Sequence, residues 1–153
     1  MATDAKTNLS ELYLEDETAW LDITAELVAE RRLAELDCDN LQEFLESMAK
    51  RDRREVRRRM VILLFHLLKW EHQPEKRTRS WVRTILTQRR ELRSQLDSAT
   101  LRRHAADVLA KAYADAREDA AAETGLPLAT FPATTALTID LLIAKDADDA
   151  LLN

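Results

Sequence analysis

The chain has 153 residues, enough for one domain with a real core, and its 46% hydrophobic and 33% charged residues exclude both a disordered chain and a membrane-embedded one. One glycine, three prolines and abundant Ala, Leu, Arg and Glu leave too few turn residues for a sheet and favour a few long helices. The net charge is −5, and the single cysteine, Cys38, excludes an internal disulfide and a multi-cysteine zinc site.

In chain order, residues 1–15 read as a flexible N-terminal segment and 16–153 as a single helical domain. Asp16 caps a first helix, with Glu17 in its first turn, and Trp20, Ile23, Leu27 and Val28 give it an apolar stripe that reaches toward Leu33 and Leu36. The capping-rich Asp37-Cys38-Asp39-Asn40 opens a second helix. Its stripe runs through Leu41, Phe44, Leu45 and Met48 and resumes at Val56, Met60, Leu63, Leu64, Leu67 and Leu68. Between them Lys50 to Arg54 is wholly charged. Unbroken to Gln73-Pro74, this helix is roughly 50 Å long, more than the width of a globule of this size. It is therefore expected to break or bend near Ala49–Asp52, or to protrude at one end. A third helix is predicted over about Thr78–Leu96, and Ser98 caps a fourth that Gly125 ends. A loop with Pro127 and Pro132 follows, and Thr138 caps a short last helix through Ala144. The predicted fold is all-α: a single-domain helical bundle of four main helices plus short terminal helices.

The charge is unevenly distributed. Residues 1–49 carry 3 Lys/Arg against 13 Asp/Glu, residues 50–93 carry 15 against 5, and residues 94–153 carry 5 against 10. A basic middle flanked by acidic arms is expected to be neutralised largely within the protein. Met1 to Asn8 is polar and lacks the apolar stretch of a signal peptide. The most apolar run, Val61 to Leu68, is far short of the ~20 residues a membrane helix requires. The expected compartment is a reducing cytoplasm, with no membrane partner.

Two segments carry a family pattern. One is His66-Leu67-Leu68-Lys69-Trp70-Glu71-His72-Gln73-Pro74-Glu75-Lys76-Arg77-Thr78-Arg79-Ser80-Trp81; the other is Tyr113-Ala114-Asp115-Ala116-Arg117 with Glu123-Thr124-Gly125-Leu126-Pro127 and Phe131-Pro132. Together, and with a weaker match at Trp20 and from Leu36-Asp37 to Asn40-Leu41, they resemble the bacterial domain-of-unknown-function family 29. The chain departs from that pattern at Ala49, where a glycine is usual, and near Phe44, where a second carboxylate is frequent. A third departure is Thr135-Ala136-Leu137, where Cys-Pro-Trp or similar is common. The resemblance implies a helical fold and a bacterial source, and implies no activity.

Four constellations bear on chemistry. His66, Trp70 and Gln73 share a helical face, Pro74 turns the chain, and Arg77 and Trp81 open the next helix. With Arg117 and Glu123 they form the candidate ligand-binding set, a cleft with an aromatic floor, a cation and an imidazole. The competing and preferred reading is a packed elbow, Trp81 under Trp70, in which truncating Trp81 to alanine costs about 3–5 kcal/mol. Asp115, Asp119 and Glu123 lie at i, i+4 and i+8, a spacing that can hold a hard cation, but pairing with the basic helices is the simpler reading. Residues 50–59 hold seven cations and suggest phosphate binding; Glu55 and the acidic arms compete, so nucleic acid is disfavoured. Cys38 at a helix N-terminus has no histidine near it in sequence, and no catalytic motif is present. The expected function is a protein–protein interaction or self-associating module, with a protein partner or homo-oligomer, no cofactor and no metal. The alternatives are a small-ligand or enzymatic site at the His66–Trp81 elbow and nucleic-acid binding through residues 50–59.

Overall fold

The computed structural model describes residues 2–153, with side chains from Asn8 onward. It is all-α: α1 is Ala2–Glu15, α2 Glu17–Ala29, α3 Cys38–His72, α4 Arg79–Gln95, α5 Ala99–Thr124, α6 Ile139–Leu142 and α7 Asp146–Leu152. Single 3-10 turns lie at Leu33–Glu35, Pro74–Lys76 and Leu128–Thr130. Among the described residues no helix is long and apolar enough to cross a membrane.

The caps stand where side chains can take up the orphan N–H groups of a helix start. Asp16, Thr78, Ser98 and Thr138 each accept from the backbone N–H three residues on, that of Ala19, Trp81, Leu101 and Leu141. Gly125 closes α5 in the left-handed conformation, φ 72°. Helix α3 ends at His72 because Pro74 bars Gln73 from helical geometry.

The N-terminal reading needs three corrections. Residues 2–15, expected as a flexible segment, form helix α1, which packs on α2 through buried Leu9. Helix α2 stops at Ala29, before Leu33 and Leu36, and closes through Arg31, whose φ of 59° is left-handed. The Arg31 N–H then donates to Val28 and the Arg32 N–H to Leu27, the pattern usually built on glycine. Finally, the stripe of α2 runs through Trp20, Thr24 and Leu27, while Ile23 and Val28 are exposed. At the other end, α7 is a helix beyond the predicted last one.

Contacts divide the chain into two compact units, residues 1–50 and 51–153, so the division falls inside α3. None of the side chains from Lys50 to Arg54 is buried, which leaves that stretch without a core of its own. Helix α3 nevertheless carries no break there; it is continuous for 35 residues. In the first unit Trp20 is fully buried, with Tyr13 edge-on at 4.8 Å and Phe44 at 5.8 Å, and its indole N–H donates to Asp37 at 3.2 Å. In the second, Val56, Met60, Leu63, Leu64 and Leu68 of α3 meet Ile85 and Leu92 of α4, the small Ala105, Ala112, Ala116 and Ala120 of α5, and Phe131, Ile139 and Leu142.

Candidate functional site

The elbow between α3 and α4 is built around a residue that sequence reasoning did not single out, Lys69. Its side chain is almost wholly buried, and its ammonium lies 4.5 Å from the centre of the Phe65 ring and 4.4 Å from that of Trp81. It donates to Glu123 of α5 at 2.9 Å. Two aromatic faces and a carboxylate thus replace the water a buried ammonium loses. Phe65 and Lys69 are i and i+4 on α3, so one wall comes from the helix itself, and α4 and α5 bring the rest.

The seven candidate residues fall into three groups. The first surrounds Lys69 and holds Trp81, Glu123 and half-buried His66. His66 Nδ1 donates to its own Ile62 carbonyl at 2.9 Å, and the imidazole meets Phe65 edge-on at 5.1 Å. Burial holds the His66 imidazole below its ordinary pKa, and the Lys69 ammonium pushes the same way; the Ile62 carbonyl and Glu123 oppose them. The second group is Trp70 and Arg77. The Arg77 guanidinium stacks 4.5 Å from the Trp70 ring centre and its Nε donates to the Trp70 carbonyl at 2.8 Å, clamping the turn, while buried Gln73 leads into Pro74. The third is Arg117, which donates to the Phe131 and Leu128 carbonyls at 3.0 and 3.1 Å and so holds the loop after α5. Tyr113 assists there, its hydroxyl donating to the Pro132 carbonyl at 2.6 Å.

The expected packing of Trp81 under Trp70 is therefore replaced by a different arrangement. Among the described residues the two indoles make no ring contact; each faces its own cation, Lys69 for Trp81 and Arg77 for Trp70. Trp81 is half-buried and not core.

Two of the five carboxylates of α5 go to ion pairs. Asp115 pairs with Arg57 and Glu123 with Lys69, and Asp119 lines a groove of about 550 Å³ with Asp115, Glu118, Arg54, Arg57 and Arg58 over Val61 and Ile62. Among the described residues no three His, Cys, Asp or Glu are grouped to hold a metal ion. Within the basic run, Arg59 pairs with Glu55 at 2.7 Å and reaches Gln88. Cys38 is free and exposed.

A second ionic cluster, also unforeseen, ties α7 to α4. Buried Asp148 accepts from Arg89 at 3.1 Å and from Arg93. The same arginines donate to the Leu142 and Ile143 carbonyls at 3.0 and 2.7 Å, which satisfies the end of α6. With α7 so held, Leu151 and Leu152 stand beside the outer face of α4. There Val82, Leu86 and Thr87, with Arg79, Arg83 and Arg90, line an open groove of about 570 Å³. The three arginines are exposed and make no ion pair among the described residues.

No curated protein and no solved structure matches the chain. The family model described as domain of unknown function DUF29 matches residues 12–147, a span that takes in α2 to α6 and every candidate residue of the elbow, and the chain belongs to that family.

Proposed function

We propose that this protein is a helical protein–protein interaction module. One observation carries the reading: the groove between α4 and α7 presents an apolar floor, rimmed by three cations that have no ion-pair partner among the described residues. Apolar surface rimmed by charge is the usual make-up of a docking face. The elbow contrasts with it, since its indole faces are taken up by Lys69 and Arg77 of the chain itself. A reducing cytoplasm suits the exposed, free Cys38.

The test is site-specific photo-crosslinking in cells that produce the protein. Benzoylphenylalanine replacing Leu152, which is 66% exposed at the edge of the groove, should give a discrete adduct with a polypeptide, either another protein or a second copy. The same group replacing exposed Lys111, outside the groove, should not. No adduct at Leu152, or the same adducts at both positions, removes the proposal.

A further inference from the structure

We infer that the α4–α7 groove receives an acidic amphipathic helix of a partner protein, an inference that rests on the interaction reading above. Arg79, Arg83 and Arg90 stand at i, i+4 and i+11 on α4, within one face of the helix at 100° per residue. They run about 16 Å along its axis, some three turns of a facing helix. Val82 and Leu86 lie between them, and Leu151 and Leu152 of α7 form the other wall. Val82, Leu86 and Leu151 are already half-buried, while Leu152 is mostly exposed.

The charge pattern sets the sign of the occupant. The groove beside α3 is also rich in arginine, but Asp115, Glu118 and Asp119 line it too and Asp115 pairs with Arg57. No carboxylate lines the α4–α7 groove. Its own elements offer Glu91 on α4 and Asp146 and Asp149 on α7, none of which lines the groove, and Asp148 is committed to Arg89 and Arg93. A ligand that supplies several carboxylates at helical spacing finds counter-charges already in register, with no internal pair to break. The apolar floor sets the rest. A nucleic-acid backbone would meet the arginines and leave Val82, Leu86, Leu151 and Leu152 without apolar partners. An amphipathic helix with carboxylates flanking a leucine stripe satisfies both halves of the groove, the helix-in-groove mode of recognition.

The experiment is fluorescence anisotropy with the full chain and a labelled, capped peptide of about 18 residues. It carries leucine at i, i+3, i+4 and i+7 spacing and glutamate on the flanking positions. Saturable binding is expected. A scrambled peptide of the same composition, and the R83E/R90E chain, should each bind at least about tenfold more weakly, a difference of roughly 1.4 kcal/mol. Both arginines are exposed, so the double variant should keep the parent's circular dichroism and melting temperature; R83Q/R90Q, expected to weaken binding less than R83E/R90E, serves if it does not. Equal affinity for the scrambled peptide, unchanged affinity in the variants, or displacement of the peptide by duplex DNA at matched charge concentration overturns the inference. A crosslinked polypeptide at Leu152 with no peptide binding leaves the interaction reading standing and removes only the acidic helix; absence of both removes both.

Discussion

The Lys69 ammonium and the Glu123 carboxylate meet at 2.9 Å across 54 positions of sequence, one side chain almost wholly buried and the other more than half exposed. The pair is therefore asymmetric: the lysine has given up its water, and the glutamate has kept much of its own. Phe65 and Trp81 complete the exchange by turning ring faces to the ammonium. A buried charge of this kind specifies geometry more than it adds stability, because its desolvation offsets much of what its partners return.

Replacing the partners one at a time should expose that asymmetry. Glu123→Gln is expected to cost about 1–2 kcal/mol, since water at the exposed side takes over part of the pairing. Trp81→Ala should cost about 2–3 kcal/mol, less than the full core-aromatic value, because the indole is only half-buried. Lys69→Met keeps the stem's packing and removes the charge, so it should fall within about 1 kcal/mol of the parent. Urea unfolding followed by circular dichroism reads all three. A Lys69→Met loss larger than that of Trp81→Ala would show the ammonium to be a net source of stability.

Asp148 should be the least replaceable carboxylate among the described residues. It stands between Arg89 and Arg93 with its side chain 11% exposed, and Arg89 is buried as well. Asp148→Asn leaves two guanidinium groups facing a neutral amide in a dry site, at a cost of about 3 kcal/mol. Release of α7 should accompany it, seen as faster proteolytic trimming of the C-terminal residues. Unchanged stability and trimming would mean that the Leu142 and Ile143 carbonyls alone hold the two arginines.

Arg31 makes the opposite case, a place where the parent residue is the poorer one. Its φ of 59° is the left-handed region, which costs a side-chain-bearing residue about 1 kcal/mol relative to glycine. Its guanidinium contributes one exposed hydrogen bond to the Val28 carbonyl at 3.1 Å. Arg31→Gly should therefore stabilise the N-terminal unit by about 0.5 kcal/mol, measured as an upward shift of the melting temperature. A downward shift would assign the closure of α2 to the arginine side chain.

The pattern of what the sequence disclosed follows from range. Asp16, Ser98, Thr138 and Gly125 were readable because a cap acts within three or four residues. The turn at Gln73-Pro74 was readable for the same reason. Lys69 was not, because its walls come from α4 and α5, and a lysine beside a tryptophan carries no local mark of burial. Asp148 was hidden likewise, 59 positions from Arg89. The boundary inside α3 had a signal, the charged run from Lys50, which showed where the core is interrupted; helix propensity is indifferent to that interruption, so the backbone continued. Arg79, Arg83 and Arg90 were part of a counted basic middle, and only the placement of α7 showed that these three line one groove in which, among the described residues, no carboxylate stands.

His66 gives the protein a pH dependence whose sign is fixed. Burial holds its folded-state pKa below the ordinary 6.5, so the unfolded chain binds the proton more tightly than the folded one. Above the unfolded value both states carry a neutral imidazole and His66 contributes no slope. As pH falls through 6.5 toward the lower folded value, the unfolded state gains a proton that the folded state does not, and stability is lost until the folded imidazole titrates too. Melting temperature should therefore drop between pH 7.5 and pH 5.5, and His66→Gln should reduce that drop while keeping a donor for the Ile62 carbonyl. The imidazole resonance of His66, followed by NMR, should titrate below that of a model histidine. A resonance titrating at or above 6.5, or a His66→Gln chain with the parent's full pH dependence, would place the imidazole in water and return the elbow to the list of open sites.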